Sequence, residues 1–308
     1  MPEEGTEPQI AVENVCENPC IEEIHGDAKD FVQMFLKNIR YKDFYYQMGI
    51  NPDKTFLLYG VPATGKSISI KVINNEANKD VSPENQMDFR TLNLLTVPYD
   101  IGRYGTAYVN RGSKIIQHVF DFAYASSQVG KDVLLVLDEA DALFMSRTNS
   151  ASTRTGEDLK NLETLMKNMQ QAHDTPGVYV ALITNLEKFL DAAAVRSGRI
   201  DKKIEFKLPN EEQRRSAIQG KIDTVNQNAG YKVIRKYNVD QLVEESDGMN
   251  YADIDNAIVS SVKERIDELL DREEDSERLI RAPHITQKRL LAHMQALKPQ
   301  SRTVGFHG

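Results

Sequence analysis

Gly60-Val61-Pro62-Ala63-Thr64-Gly65-Lys66-Ser67 fits the pattern G-x-x-x-x-G-K-[ST]. Before it stands Thr55-Phe56-Leu57-Leu58-Tyr59, an apolar run that reads as a buried strand. After it comes Ile68-Ser69-Ile70-Lys71-Val72-Ile73, which can start a helix. Strand, Gly-rich turn and helix N-terminus is the context in which this pattern binds phosphate. Backbone N–H groups of such a turn wrap an anion, and the helix dipole adds positive potential. Lys66 would reach the β- and γ-phosphates, and the Ser67 hydroxyl would bind Mg2+.

Carboxylates follow downstream. Val133-Leu134-Leu135-Val136-Leu137 ends in Asp138-Glu139. A continuous apolar run suits a central strand of a parallel sheet, buried on both faces. Acids at its end would sit at the carboxyl edge, where open α/β sheets bind ligands. There Asp138 would hold Mg2+ through water, and Glu139 would polarise an attacking water. An Asp-Glu pair by itself reads equally as a solvated turn; the strand before it carries the argument. A third strand, Val178-Tyr179-Val180-Ala181-Leu182-Ile183, ends in Thr184-Asn185. Asn185 could place a lytic water, or simply make a turn. Arg196-Ser197-Gly198-Arg199-Ile200-Asp201 then sets two arginines around a glycine. Guanidinium groups suit bidentate contact with phosphate and with developing charge. An unplaced arginine pair reads as well as surface salt bridges.

The chain has 308 residues, enough for a large and a small domain, and its 40% hydrophobic content is ordinary for a globular protein. No run approaches the ~18 apolar residues of a membrane helix. Met1-Pro2-Glu3-Glu4 is acidic and does not read as a signal peptide. A net charge of −8 disfavours nucleic acid as the main partner. Cys16 and Cys20 could bind a metal only with partners that no spacing in the sequence identifies, and they read as free thiols of a reducing compartment. The expected location is the cytoplasm. Residues 1–20 are expected to form a flexible acidic tail. Residues 21–207 alternate strand and helix patterns, which predicts a parallel sheet between helices. Leu208-Pro209-Asn210 is expected to end the last strand. Residues 208–301 read as a small helical domain, with Asn250 capping a helix over Tyr251–Leu270 and a last helix starting near Thr286. Residues 302–308 form a C-terminal tail. No internal repeat is seen, so one module is expected.

In this order the motifs resemble the AAA clade of the AAA+ ATPases. Leu190-Asp191-Ala192-Ala193-Ala194-Val195 leading into Arg196-Ser197-Gly198-Arg199-Ile200-Asp201 is similar to the clade's second region of homology, L-D-x-A-h-x-R-x-G-R-h-D. Gly248-Met249-Asn250-Tyr251-Ala252-Asp253-Ile254 is similar to its lid motif, G-x-x-G-A-D-h. The likeness runs from about Ile21 to about Ser301. It implies a P-loop NTPase α/β fold followed by a helical lid, with ATP and Mg2+ as cofactors. It implies adenine contacts from Ile24, His25 and Gly26, and further nucleotide contacts from Ile68, Ile218, Tyr251 and Ala252. Asn185 becomes the residue that senses the γ-phosphate. Arg196 and Arg199 become fingers acting on a neighbouring subunit's ATP, which implies a homo-oligomer, usually a hexameric ring.

The chain departs from the clade at several positions. Ala63 replaces a usual Gly, and close backbone approach is expected to survive if its φ stays negative. Ser67 replaces the commoner Thr. His25 and Tyr251 replace small residues near the adenine. Ile222 stands where a His is common.

Tyr108-Val109, in the stretch Gly105 to Gly112, matches the family's aromatic–aliphatic pore loop and would grip a protein substrate, with or without an adaptor. The alternative is that Tyr108 packs on its own domain. A second pore loop is expected over Thr148–Gly156. The function implied is a ring motor that unfolds, threads or disassembles proteins. A nucleic-acid-linked factor of clamp-loader or replication type, and a nucleotide-gated scaffold with little turnover, are the competing readings.

Overall fold

The computed structural model describes residues 19–22, 24–93, 111–140, 156–185, 200–271 and 284–298. The chain divides into two compact units. One comprises Met1–Ile21, Asp27–Val61 and Lys66–Phe206, and the other Glu22–Gly26, Pro62–Gly65 and Lys207–Gly308.

Five parallel strands build the first unit: β1 (Thr55–Gly60), β2 (Asp88–Asn93), β3 (Val133–Asp138), β4 (Val178–Ile183) and β5 (Lys202–Phe206). Their order across the sheet is β2-β3-β4-β1-β5. Parallel neighbours need crossovers, and helices α3 (Lys66–Asn78), α4 (Arg111–Gln128) and α5 (Gly156–Asp174) occupy the connections; α1 (Gly26–Arg40) and a short α2 (Lys42–Gln47) precede β1. Successive strand residues point to opposite faces. Leu57, Leu135, Leu137, Val180 and Leu182 pack on one face against Ile116, Phe120, Leu165 and Met169 of α4 and α5. Phe56 and Tyr179 take the other face, where their rings meet Phe31 and Phe35 of α1 at centroid distances of 5.4–5.5 Å. The central runs are therefore apolar throughout because both faces are covered. β5, an edge strand, alternates instead and buries only Phe206 fully. It ends two residues before Leu208, the point at which the sequence is expected to leave the sheet.

Helices make up the second unit: α6 (Glu211–Ala229), α7 (Val239–Glu245), α8 (Tyr251–Leu270) and α9 (Gln287–Leu297). Each begins where a side chain caps it. Asn210 and Gln213 form a reciprocal capping box, each accepting the other's backbone N–H at 2.9 Å. Asn250 accepts from Asp253 N at 2.8 Å, and Thr286 caps α9. Gly230, at φ 72°, ends α6 in the left-handed conformation. The core beneath is apolar: Ile218, Ile222, Leu242, Met249, Ile254, Ile258, Leu290 and Met294.

Candidate functional site

The sheet register places the candidate residues on one edge. β1, β3 and β4 run in the same direction and end at Gly60, Asp138 and Ile183. Backbone bonds tie the segments beyond them: Ala140 N donates to Ile183 O at 2.8 Å, and Thr184 N to Leu58 O at 3.0 Å. The octapeptide, the Asp-Glu pair and Thr184-Asn185 therefore emerge together at the carboxyl edge.

The turn after β1 is built on unusual backbone. Gly60 has φ 126°, and a Cβ there would lie 2.2 Å from the carbonyl oxygen of Phe206. Only glycine fits. Gly65 has φ 108° and Ala63 φ 59°. The condition of a negative φ at Ala63 is thus not met. The turn needs a left-handed residue at this point, and its Cβ is tolerated because Ala63 is exposed. Val61 and Pro62 are also exposed, whereas Thr64 is buried. Helix α3 begins at Lys66, two residues earlier than Ile68. Ser67 and Ile68 therefore lie in its first turn, on the exposed side.

Lys66 is 5% exposed. Its ammonium donates to the carbonyls of Gly60 at 2.9 Å and Val61 at 2.8 Å, back onto the strand it follows. Burial lowers its pKa to about 8, with the carboxylates of Asp138 and Glu139 opposing the shift. A lysine ammonium carries three donors, and these carbonyls engage two of them. A buried cation, held in a glycine turn at a helix N-terminus and destabilised by desolvation, is the donor set a polyphosphate requires.

Asp138 accepts the backbone N–H of Glu139 at 2.8 Å. Glu139 itself sits at φ 55°, rare for a residue with a long side chain. That geometry turns the chain sharply off β3 at the acid pair, and strain of this kind concentrates at functional sites. Asn185 is exposed just beyond β4.

In the helical unit, Ile24 is buried, and His25 and Tyr251 bring their rings within 6.2 Å at a 32° tilt. Gly26 has φ 57° and lies against the Gln213 side chain. Ala252 is exposed in the first turn of α8. Ile218 is fully buried in the helical core beside Ile222, whose place in that core accounts for an apolar residue there. Tyr108, Val109, Arg196, Arg199 and Cys16 lie outside the described residues, and Cys20 is half-buried. Among the described residues, no helix is long and apolar enough to cross a membrane.

Motif reading assigns Asp201 and Thr55 no role. Thr55 opens an apolar strand and Asp201 closes the motif around Arg196 and Arg199, but neither position by itself names a partner. The two residues bond to each other across 146 positions of chain.

Residues 56–208 match the model of the "ATPase family associated with various cellular activities (AAA)". The chain is similar to a protein named proteasome-activating nucleotidase from Methanothermobacter thermautotrophicus, 27% identical over 76% of this chain and 50% of that protein. It is 26% identical to a probable 26S proteasome regulatory subunit 4 of Caenorhabditis elegans, over 82% of this chain and 52% of the relative. A 26S proteasome subunit of Saccharomyces cerevisiae, RPT4, is 28% identical over 75% and 46%. The chain thus spans about half the length of the curated relatives it matches. With the matching domain beginning in β1 and carrying the phosphate turn, the acid pair and the β4 edge, the chain belongs to the AAA family of ATPases.

Proposed function

We propose that the chain is the ATP-hydrolysing module of a ring motor that unfolds, threads or disassembles protein substrates. One observation carries the reading: a buried Lys66 closes a glycine turn on the same sheet edge as Asp138, Glu139 and Asn185. Relatives named for the proteasome support a protein substrate. Bound Mg2+ and ATP supply a γ-phosphoryl group open to attack by water.

The chain's own residues divide the remaining work. Lys66 and the backbone of Gly60–Ser67 bind and orient the phosphates. Ser67 and Asp138 hold the metal. Glu139 takes the proton from the attacking water, and Asn185 orients that water. His25, Gly26, Ile68, Tyr251 and Ala252 surround the base and ribose with Ile24 beside them, while Ile218, fully buried in the helical core, supports that wall from behind. Arg196 and Arg199 act on the ATP of a second copy, which makes the working form a homo-oligomer, a hexameric ring by family resemblance. Tyr108 and Val109 grip the substrate chain in the pore. The ring works in the cytoplasm, a reducing compartment that keeps cysteines as thiols.

The test is turnover per subunit against protein concentration. It should rise as rings form. Arg199→Ala, inactive alone, should regain activity when mixed with Lys66→Ala, because one brings a working pocket and the other a working finger. Flat activity without complementation would refute action in trans.

A further inference from the structure

Helix α2 buries none of its six residues. Its apolar side chains face outward instead: Tyr41, at its start, is 51% exposed, Phe44 62%, Met48 65% and Ile50, in the turn that follows, 55%. Tyr41, Phe44 and Met48 stand three and four positions apart, so they share one face. So short a helix cannot hold itself by propensity. Lys42 pins it, donating from Nζ to Asp132 Oδ2 at 2.5 Å, and Met48 N closes it on Phe44 O at 3.1 Å. The apolar face is thereby fixed toward water, and a patch of this kind marks an interaction surface. Lys37 and Arg40, exposed in the last turn of α1, flank it, and Asp43 is exposed on α2 itself.

Helix α8 carries a stripe of complementary character. Ile266 and Leu270, 42% and 56% exposed, lie four positions apart on one face. Asp267 and Asp271 run alongside them, both exposed, with Lys263 about one turn earlier. The neighbouring acids Glu264 and Glu268 are committed to Arg289, at 3.4 and 2.5 Å. Asp267 and Asp271 enter no ion pair among the described residues, and neither do Lys37 and Arg40. Two cations and an acid thus rim the aromatic face, and two acids and a cation rim the aliphatic one. We infer that the α2 face docks on the α8 stripe of a second copy of this chain, with Lys37 and Arg40 opposite Asp267 and Asp271. The inference rests on the proposed ring. Two different patches make a heterologous contact, which leaves one face of each kind free on a dimer and covers every face only when a ring closes.

Charge exchange tests the pairing, read by sedimentation velocity of the full chain with ATP over a range of concentrations. One variant carries Lys37→Glu with Arg40→Glu, and the other Asp267→Lys with Asp271→Lys. All four positions are exposed, so both variants should melt like wild type. Each alone should need at least about tenfold more protein to assemble, because like charges then meet across the contact. Mixed in equal amounts they should assemble as wild type does, since each reversed rim then meets its reversed partner. A chain carrying all four substitutions should assemble by itself. Phe44→Ser removes the central ring of the patch and should weaken assembly without rescue by either variant. Wild type that assembles while both reversals assemble equally well would overturn the contact and leave the ring standing, with another partner for α2. Weakened assembly that neither the mixture nor the fourfold chain restores would overturn the pairing of these two faces. Wild type that stays monomeric at every concentration would take down the ring itself, and this contact with it.

Discussion

Gly60 at the end of β1 and Phe206 at the end of β5 approach so closely that a Cβ on Gly60 would lie 2.2 Å from the Phe206 carbonyl oxygen. The contact places the phosphate turn directly against an edge strand, and it leaves the chain no alternative to glycine. Gly60→Ala must either push β5 away or abandon φ 126°. Backbone strain alone costs roughly 1–3 kcal/mol. Urea denaturation should show at least that loss, together with weakened ATP binding. A wild-type midpoint would mean that the strands part easily.

Ala63 holds a left-handed φ of 59° with open surroundings. Left-handed backbone costs an L-residue roughly 1–2 kcal/mol, while glycine gives back about 0.4–1 kcal/mol through its freer unfolded chain. Ala63→Gly should therefore stabilise the protein, by up to about 1.6 kcal/mol. Chemical denaturation would reveal it, and a destabilised variant would contradict the strain.

Lys66 gives ATP binding a pH limit. Burial lowers its pKa from 10.5 to about 8. A phosphate contact needs the protonated form, so affinity should be level below about pH 8. Above it, affinity should fall by up to about tenfold per pH unit. Fold stability moves the other way: between about 8 and 10.5 the unfolded chain binds more protons, so the Lys66 contribution rises with pH. Calorimetric titrations from pH 7 to 9.5 test the first trend. Lys66→Arg, which keeps its charge, should flatten it, and Lys66→Ala should abolish binding at every pH.

Glu139→Gln retains the side chain's shape but removes the base. ATP binding should persist while turnover drops by at least about a hundredfold, the scale of lost general-base assistance. The φ of 55° is unchanged by this substitution, so the melting temperature should stay near wild type. Near-normal turnover would take Glu139 out of the chemistry.

Much of this site could be read directly from local sequence. Apolar runs ending in Gly60, Asp138 and Ile183 announced three strands, because a strand covered on both faces must be apolar throughout. The octapeptide announced its own turn, since glycine and lysine spacing encodes the backbone that wraps phosphate. Asn250 and Thr286 marked helix starts by chemistry confined to three or four residues, whereas Asn210, read only as the end of the last strand, also caps a helix. The left-handed Ala63 and Glu139 could not be read this way, because the closure of the turn and the exit from β3 impose φ on residue types that do not ask for it. Nor could the contact of Gly60 with Phe206, or the bonds of Asp201 to Thr55. Those depend on strand order, which sets β5 beside β1 although 141 residues separate Gly60 from Lys202. Periodicity within a segment records which face is buried, but not which distant strand will supply the burial. That choice is made when the whole sheet packs, and with it the bonds of Asp201 to Thr55.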